Sequence, residues 1–458
     1  DAPVLYTQGG DLRLADPTAT NSNRSIDGSG PPPGTTYEAA VGTSDLRRVV
    51  FVAVRGGRRT LMTAGPDAAT NGATLAYSPV TPTRILDTRL DGPQLNYAGG
   101  KPVAGQTISL TVRGKGGVPN LPNVQAVVLN VTLTDASAPG FVTVWPDGSP
   151  RPLASSLNVT AVGQTRPNLV TVRVPASGVV DLFTQAGGHL IADVAGYYSD
   201  ASTAGAGRFF PLSPHRVLDT RTDGPQLAFT GPKPGVGGQI DLVVAGRAGV
   251  AADASAVVLN VTATEASGPG FVTVWPTGSP RPLASNLNLV EVGQTSANQV
   301  IVPVGAGGAV SLFTQSGTHL VADVTGWYTG AAELPGTSGL FIAAAGPTRV
   351  LDTRADGPQV GYRGSRPTAG QSVPLPLAAR GVAAWAMNVT ITEAPLPGFV
   401  TASPRGVPRP LASNLNAVSG DTVAGHVTVA ALRSDDSVVL FTQAGGHLVA
   451  DLVGRFVR

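Results

Sequence analysis

The chain has 458 residues, of which 42% are hydrophobic and only 13% are charged, and its net charge at pH 7 is +2. This length is sufficient for three or four domains with cores of their own. The small and interspersed charge argues against nucleic-acid binding, which needs a basic face, and the lack of cysteine excludes disulfides and thiolate metal sites.

Glycine and proline are unusually abundant, with 58 and 39 residues respectively, and together they exceed a fifth of the chain. Threonine and valine are also frequent, and turn residues recur at short intervals. No window shows a sustained 3.6-residue hydrophobic period. This composition predicts an all-β protein.

The N-terminal segment, residues 1–76, is the least regular part of the chain. The sequence of residues 4–16 predicts a hairpin across a Gly-Gly turn. Residues 17–36 predict an irregular loop, and residues 48–55 predict a buried strand. We therefore expect a small β-rich segment ahead of the main body.

The rest of the chain is a threefold repeat. Asn130, Asn260 and Asn388 stand at one position of the repeat, 130 and 128 residues apart. Such a period is too long for a solenoid or propeller, so each copy should be a domain with its own core. We place copy 1 at residues 77–199, copy 2 at 209–328 and copy 3 at 340–458, and the short linkers between them should leave the copies in contact or nearly so.

Each copy should contain eight strands. In copy 1 the third strand alternates cleanly, with Val127, Leu129, Val131 and Leu133 on the face expected to pack in a core. Turn signals separate the strands. The pattern predicts three tandem eight-stranded β-sandwiches of jelly-roll-like type. In copy 1 the candidate strands are residues 84–89, 107–114, 126–135, 141–146, 155–160, 168–174, 179–185 and 189–198.

Several motifs carry a resemblance to a known family. These are LDTR at residues 86–89, AVVLNVT at 126–132, SNLN at 285–288 and DVTGWY at 323–328. They resemble a β-rich module of secreted and cell-surface proteins of high-GC Gram-positive bacteria, and the likeness covers residues 77–458. It implies an extracellular setting and no defined activity. Copy 3 departs from the pattern, with Ser403 in place of Trp145 and Trp275, and Arg455-Phe456 in place of the closing aromatic pair.

A catalytic constellation can be considered around the recurring histidine. His189 precedes Asp193 by four residues, as in the other copies, and Ser155 or Ser156 would complete a triad. Residues four apart on a strand are separated by about 13 Å, which is too far for the necessary hydrogen bond. The histidine is therefore expected to be structural, capping a turn or bonding across strands, and we expect no enzyme.

The LDTR motif raises the question of a metal. Asp87, Asp91 and Gly92 are the kind of residues found in calcium loops. Arg89 lies two residues from Asp87 and already supplies a positive charge, so an Asp–Arg network without a metal or cofactor is the favoured interpretation. The same interpretation applies to Asp219 and Asp352.

Two other features have structural and functional interpretations. The Asn-Val-Thr sequences at Asn130, Asn260 and Asn388 match a glycosylation sequon, but they lie within apolar strands and favour hydrogen-bonded core asparagines. Trp145, Trp275 and Tyr197 have the chemistry to stack on sugars, although aromatic residues are more often found in cores and domain interfaces.

The N-terminus contains a likeness to the repeats. LYTQGGDLRLAD at residues 5–16 resembles LFTQAGGHLIAD at residues 182–193. We interpret the second segment as the closing hairpin of copy 1. Chance similarity is the competing interpretation. If the likeness is real, residues 1–76 hold an incomplete sandwich whose sheet edges need a partner strand. The candidate assembly residues are Leu5, Tyr6, Thr7, Gln8, Leu14 and Asp16.

The sequence thus favours an extracellular structural protein that assembles with itself by β-strand pairing into a surface filament or layer. The alternative is a glycan- or cell-wall-binding adhesin, and a virion surface protein or a secreted hydrolase is more distant. The chain starts at Asp1 without methionine, as expected of a processed terminus, and shows no anchor sequence at Arg458. No apolar run reaches the roughly 20 residues of a membrane helix.

Overall fold

The computed structural model describes residues 73–458, except 357, 358, 376, 378, 380 and 432–436, and it describes the backbone of six strands within residues 1–72. The chain divides into two compact units, Asp1–Gly72 and Ala73–Arg458. No helix in the described part is both long enough and apolar enough to cross a membrane.

The first unit contains two three-stranded antiparallel sheets. The predicted hairpin is confirmed, because β1 and β2 pair antiparallel with Gln8 opposite Asp11. The predicted buried strand is β5, and its burial lies outside the described residues, as does Asp16. The predicted irregular loop is wrong in part, since β3 and the start of β4 fall within it. The strands are β1 (Val4–Gln8), β2 (Asp11–Ala15), β3 (Arg24–Ser25), β4 (Thr35–Gly42), β5 (Val49–Arg55) and β6 (Arg58–Ala64).

In the second unit each copy of the repeat contributes eight strands. Copy 1 has β7 (Leu75–Asp87), β8 (Gln106–Thr111), β9 (Val124–Thr134), β10 (Gly140–Pro146), β11 (Leu157–Val159), β12 (Arg166–Arg173), β13 (Val179–Thr184) and β14 (His189–Asp200). Copy 2 has β15 (Phe209–Asp219), β16 (Gln239–Val243), β17 (Ala256–Thr264), β18 (Gly270–Pro276), β19 (Leu287–Leu289), β20 (Ser296–Pro303), β21 (Ala309–Thr314) and β22 (His319–Tyr328). Copy 3 has β23 (Phe341–Asp352), β24 (Gln371–Leu375), β25 (Val382–Thr392), β26 (Gly398–Pro404), β27 (Leu415–Ala417), β28 (Val423–Ala430), β29 (Val438–Thr442) and β30 (His447–Val457).

The strands of each copy form two facing sheets in one topology. In copy 1 the orders are β12-β9-β14-β7 and β11-β10-β13-β8, and copies 2 and 3 repeat them. Numbered within a copy, these are 6-3-8-1 and 5-4-7-2, the strand order of a jelly roll. The predicted all-β sandwich fold is confirmed. The only helical element of the described residues is a short 3₁₀ turn at Ala306–Gly308.

One part of the hairpin interpretation is wrong. In LFTQAGGHLIAD the two strands do not pair, because β13 lies in the sheet with β10 and β8, whereas β14 lies in the sheet with β7 and β9. The Gly187-Gly188 pair turns the chain from one sheet to the other. The N-terminal LYTQGGDLRLAD does form a paired hairpin. The two similar segments therefore have different structures, which removes the basis for regarding residues 1–76 as the end of a sandwich.

The third strand of each copy lies between two cores. In β9 the residues Val127, Leu129, Val131 and Leu133 pack inside the sandwich, as predicted. The opposite face is also buried: Asn130 and Thr132 are enclosed, and Ala126 and Val128 belong to a separate core shared by all three copies. The predicted packing of one face is confirmed, and burial of the second face, which was not predicted, arises because neighbouring copies of the repeat cover it.

Because Leu129 is fully buried in the sandwich core, we expect Leu129→Ala to lower the free energy of unfolding by about 2–5 kcal/mol. The loss comes from the removed apolar contacts and the remaining cavity. Urea denaturation followed by circular dichroism measures it. Leu153→Ala, at an exposed position of the same copy, is the matched control, and an equal effect of the two substitutions would contradict the assignment.

The three copies are joined through their backbones as well as their cores. Each linker runs along the first strand of the preceding copy: Tyr77 N–H donates to Gly207 O at 2.9 Å, and Phe209 N–H donates to Gly339 O at 2.8 Å. Leu75 at the start of copy 1 pairs with Phe341 at the start of copy 3, which joins two four-stranded sheets into one of eight strands. The chain thereby closes on itself.

Candidate functional site

A buried ion-pair network lies at the first strand of each copy. In copy 1, Arg89 forms a bidentate pair with Asp87, at 3.0 Å to Oδ1 and 2.7 Å to Oδ2. Arg84 bridges Asp87 at 3.1 Å and Asp193 at 2.9 Å. The predicted Asp–Arg pairing is confirmed, with a second arginine that the motif did not indicate. Copies 2 and 3 repeat the network around Asp219 and Asp352.

The arginine that bridges the carboxylates also contacts the next copy. Arg84 Nη2 donates to the carbonyl oxygen of Leu283 in copy 2 at 2.9 Å. Its counterparts, Arg216 and Arg349, donate to Leu411 of copy 3 at 3.3 Å and to Leu153 of copy 1 at 3.1 Å. Copy 1 therefore contacts copy 2, copy 2 contacts copy 3, and copy 3 contacts copy 1. The arrangement is a closed pseudo-threefold ring within one chain.

The repeated asparagine links the three copies in the same order. Asn130 donates to Ser285 O at 2.7 Å, Asn260 donates to Ser413 O, and Asn388 donates to Ser155 O at 2.6 Å. All three asparagines are buried. The prediction of hydrogen-bonded core asparagines is confirmed, and burial leaves these sequons inaccessible to glycosylation in the folded chain.

The three contacts between copies, which we call seams, are not identical. At the 1–2 seam Asn298 donates to Asn130 Oδ1 at 3.1 Å, and at the 3–1 seam Asn168 donates to Asn388 Oδ1 at 2.8 Å. At the 2–3 seam the corresponding position is Gly425, and Asn260 Oδ1 is buried without a partner among the described residues. Two cross-seam hydrogen bonds partly replace the missing pair: Gln299 Nε2 donates to Thr428 Oγ1, and the Thr428 backbone N–H donates to Gln299 Oε1.

Six aromatic side chains close the ring around the shared core. Three come from first strands and three from last strands: Tyr77, Phe209, Phe341, Tyr198, Tyr328 and Phe456. Neighbouring ring centroids lie 4.3–5.2 Å apart around the whole circuit, alternately within a copy and between copies. Tyr198 and Tyr328 also share a 2.6 Å hydrogen bond between hydroxyls. Phe456, which replaces the tyrosine of the other two copies, keeps its place in the ring.

The histidines are structural, as predicted. His189 Nδ1 lies 3.1 Å from Thr88 O and 3.2 Å from Thr88 Oγ1, and the other two copies repeat the contact with Thr220 and Thr353. Asp193 bonds to Arg84 rather than to the histidine. Ser155 bonds to Asn158, and Ser156 Oγ accepts from Val144 N–H. The residues considered for a triad therefore have separate structural partners.

The carboxyl groups of the network differ in protonation behaviour. Burial would raise the pKa of Asp87, but the hydrogen bonds and charge of Arg89, together with the charge of Arg84, lower it below its usual value. Burial dominates at Asp193 and raises its pKa despite the hydrogen bond from Arg84. The buried carboxyl thus depends on its arginine to remain charged.

Among the described residues, no group of three or more His, Asp or Glu side chains is placed to hold a metal ion. A guanidinium already occupies the position beside Asp87, Asp219 and Asp352. We expect the melting temperature to stay the same within a degree or two when EDTA is added, because an arginine already supplies the positive charge beside each carboxylate. A fall of many degrees that calcium reverses would contradict this.

One histidine outside the repeated pattern lies where the three copies meet. His426 is buried, with its backbone N–H donating to Asn168 Oδ1 at 3.0 Å and its Nδ1 lying 3.2 Å from Gln299 Nε2. Its Nε2 has no partner among the described residues. Burial lowers the pKa of His426 to about 4. Leu169 and Gln299 occupy the same strand position in the other copies, opposite the repeated asparagine.

This histidine should make stability depend on pH. Its pKa is about 4 in the folded chain and about 6.5 when unfolded. Between these values the unfolded chain binds the extra proton, so stability is highest above pH 6.5 and falls as the pH drops towards 4. The expected loss is about 3 kcal/mol. In the variant His426→Gln, which carries the glutamine that copy 2 has at Gln299, the free energy of unfolding should not show this loss between pH 6.5 and 4. The prediction is contradicted if chemical denaturation gives the variant and the native chain the same pH dependence.

The candidate sugar-stacking tryptophans are not surface platforms. Trp145 and Trp275 are buried, and their indole N–H groups donate to Ser149 O at 3.0 Å and Ser279 O at 2.9 Å. Tyr197 is half-buried against the core of copy 1. The core interpretation of these aromatics is confirmed.

Comparison with known proteins gives little guidance. No family model and no curated protein matches the chain. It is similar to a solved structure described as the atomic structure of Sulfolobus turreted icosahedral virus, with 10% identity, a TM-score of 0.16 and coverage of 85% of this chain and 93% of that one. A second structure, described by a triple jelly roll fold and turret assembly in an archaeal virus, has the same identity and TM-score and covers 85% and 92%. Similarity this low carries no argument about function.

Proposed function

We propose that this protein is a non-enzymatic, extracellular structural protein that assembles with itself into a surface filament or layer. The observation that carries the proposal is the closed ring of three copies. The repeated Asp, His and Asn side chains considered for chemistry instead bond to Arg, to Thr and to backbone carbonyls, and so hold strands and copies together. A rigid body with three equivalent outer faces has the form of a building block.

The N-terminal unit supplies a second reason. Its two sheets have only three strands each, so each has two edge strands. Exposed sheet edges pair readily with strands of another molecule. Leu5, Tyr6, Thr7 and Gln8 lie in β1, an edge strand, and Leu14 lies in β2, which β1 and β3 flank. Donation of β1 to a neighbour therefore remains the proposed route of assembly, although it no longer rests on the likeness to the repeats.

The adhesin alternative has less support. It would require an exposed aromatic platform for sugars, whereas Trp145 and Trp275 are buried with bonded indoles. The extracellular location rests on the sequence resemblance to modules of secreted proteins.

The test is the mass and form of the full-length protein, measured by analytical ultracentrifugation and negative-stain microscopy over a wide concentration range. We expect filaments or sheets from the native chain. Deletion of residues 1–16 should leave folded, soluble protein that does not assemble, with an unchanged circular dichroism spectrum as the folding control. A native chain that stays monomeric at high concentration would contradict the proposed function. Unchanged assembly of the deletion variant would contradict only the proposed route.

A further inference from the structure

An exposed leucine is kept at one position in all three copies. Leu153, Leu283 and Leu411 have side chains that are 94%, 79% and 94% exposed. Each lies in an Arg-Pro-Leu-Ala-Ser sequence that links the fourth and fifth strands of its copy. In the described part of the chain, no other position carries an exposed large apolar residue in all three copies.

The residues next to this leucine in the sequence have contacts within the chain, whereas the leucine side chain is largely exposed to solvent. In copy 1, Arg151 stacks on the Phe183 ring at 3.7 Å, Ala154 is buried, and Ser155 bonds to Asn158. The backbone carbonyl of Leu153 accepts the hydrogen bond from Arg349 of copy 3, but any residue other than leucine supplies that carbonyl equally well. The fold gives no reason for a large apolar side chain that contacts water.

Other exposed apolar positions have not been kept. Val103 corresponds to Gly235 and Thr368, and Val236 corresponds to Ala104 and Ala369. Val162 and Val292 correspond to Ser419, which follows the exposed Val418 in a loop that is one residue shorter. Leu90 corresponds to a threonine and an alanine. Among the described residues, only in the Arg-Pro-Leu segment is an exposed leucine found at the identical position in all three copies. A single exposed leucine would need no explanation, so it is the recurrence of leucine at three equivalent positions that indicates a contact outside the chain.

We infer that the three Arg-Pro-Leu tips dock onto a second copy of this chain. The inference rests on the proposed assembly role and adds the contact surface. Each tip, the Arg-Pro-Leu segment of one copy, holds the leucine and an arginine, which is Arg151, Arg281 or Arg409. The arginine stacks on a phenylalanine and forms no ion pair among the described residues. The same chain exposes a matching threefold set of carboxylates, Asp91, Asp223 and Asp356, in the loops after the first strands. Tip and loop are complementary in charge.

The geometry suits a layer rather than a closed pair. The tips lie at the three seams, since each leucine carbonyl is bound by the neighbouring copy. Pseudo-threefold symmetry sets them at one level around the axis, and the three acidic loops follow the same symmetry. A heterologous contact between a tip and a loop, made three times by each molecule, adds to the pairing of β1 and extends the assembly in two dimensions, so both contacts are needed.

The triple substitution L153S, L283S and L411S tests the docking surface in the full-length chain. The protein concentration at which assemblies form should rise at least about tenfold, because three apolar contacts are lost for each molecule. Below the concentration at which assemblies form, the melting temperature should not change, since the three side chains are largely exposed in the monomer. The matched control is V103S, V162S and V236S, which removes three exposed valines that the copies have not kept, and it should assemble like the native chain.

A second variant checks the other side of the contact. Asp91→Asn, Asp223→Asn and Asp356→Asn together should weaken assembly in the same direction. If native protein assembles and the leucine variant assembles equally well, the inference is wrong and the proposed function stands. An equal effect of the valine control also overturns it. If native protein never assembles, the proposed function fails and the docking surface fails with it.

Discussion

Replacing Phe456 with alanine is expected to lower the free energy of unfolding of the whole 73–458 body by about 3–5 kcal/mol. Phe456 is buried and contacts rings of both neighbours, with centroids 4.4 Å from Phe209 and 5.0 Å from Phe341. Its loss opens the aromatic circuit where copy 3 contacts copy 2. Chemical denaturation, followed by tryptophan fluorescence, measures the change.

Phe441 is the matched control, because it lies in the same copy and is only partly buried. It belongs to β29, and Arg409 stacks on its ring. Phe441→Ala should cost about 1–2 kcal/mol, since less apolar area is buried. Equal losses in the two variants would show that the ring has no special part in stability.

Substitution of Arg84 by methionine should cost about 3–5 kcal/mol at pH 7, because it leaves the buried Asp193 carboxylate without its cation. It also removes the hydrogen bond to Leu283 of copy 2. Asp87 keeps its bidentate partner Arg89. The effect should therefore come from Asp193 and the seam.

The pH dependence of this variant identifies the cause. Burial already raises the pKa of Asp193, and loss of Arg84 should raise it further. A carboxyl with a raised folded-state pKa takes up its proton in the folded state first, so the deficit should shrink as the pH falls. Lys101→Met is the control, since Lys101 pairs with Asp135 at the surface and its loss should cost under about 1 kcal/mol. A pH-independent deficit in Arg84→Met would contradict an orphaned carboxylate.

The sequence predicts the elements of each copy well. The alternation in β9, the short turns and the Asp-Thr-Arg spacing depend on local periodicity and on charges two residues apart. For that reason the strands, the sandwich core and the Asp87–Arg89 pair could be predicted. A structural role for the repeated histidine could be predicted as well, but its partner Thr88 could not be named from the sequence.

The closure of the ring is not visible in the sequence. Arg84 and Asn130 bond to backbone carbonyls 199 and 155 residues away, and a carbonyl carries no residue-specific signal. The buried polar face of β9 resembles a solvent-facing side by composition alone. One sequence signal does exist: every copy has an aromatic residue in its first and its last strand, and in copy 3 Phe456 takes the place of the tyrosine. Retention of Asn130 and its counterparts within apolar strands is a second one.

The most direct test of the closed ring is calorimetry of the native chain. If the three copies form one body through the seams and the aromatic circuit, the 73–458 body should melt in a single cooperative transition, with a calorimetric enthalpy about equal to the van't Hoff enthalpy. Independent tandem sandwiches would melt separately, and overlapping transitions would give a ratio near three. A ratio near one is the result that the closed ring predicts, and a ratio near three would contradict it.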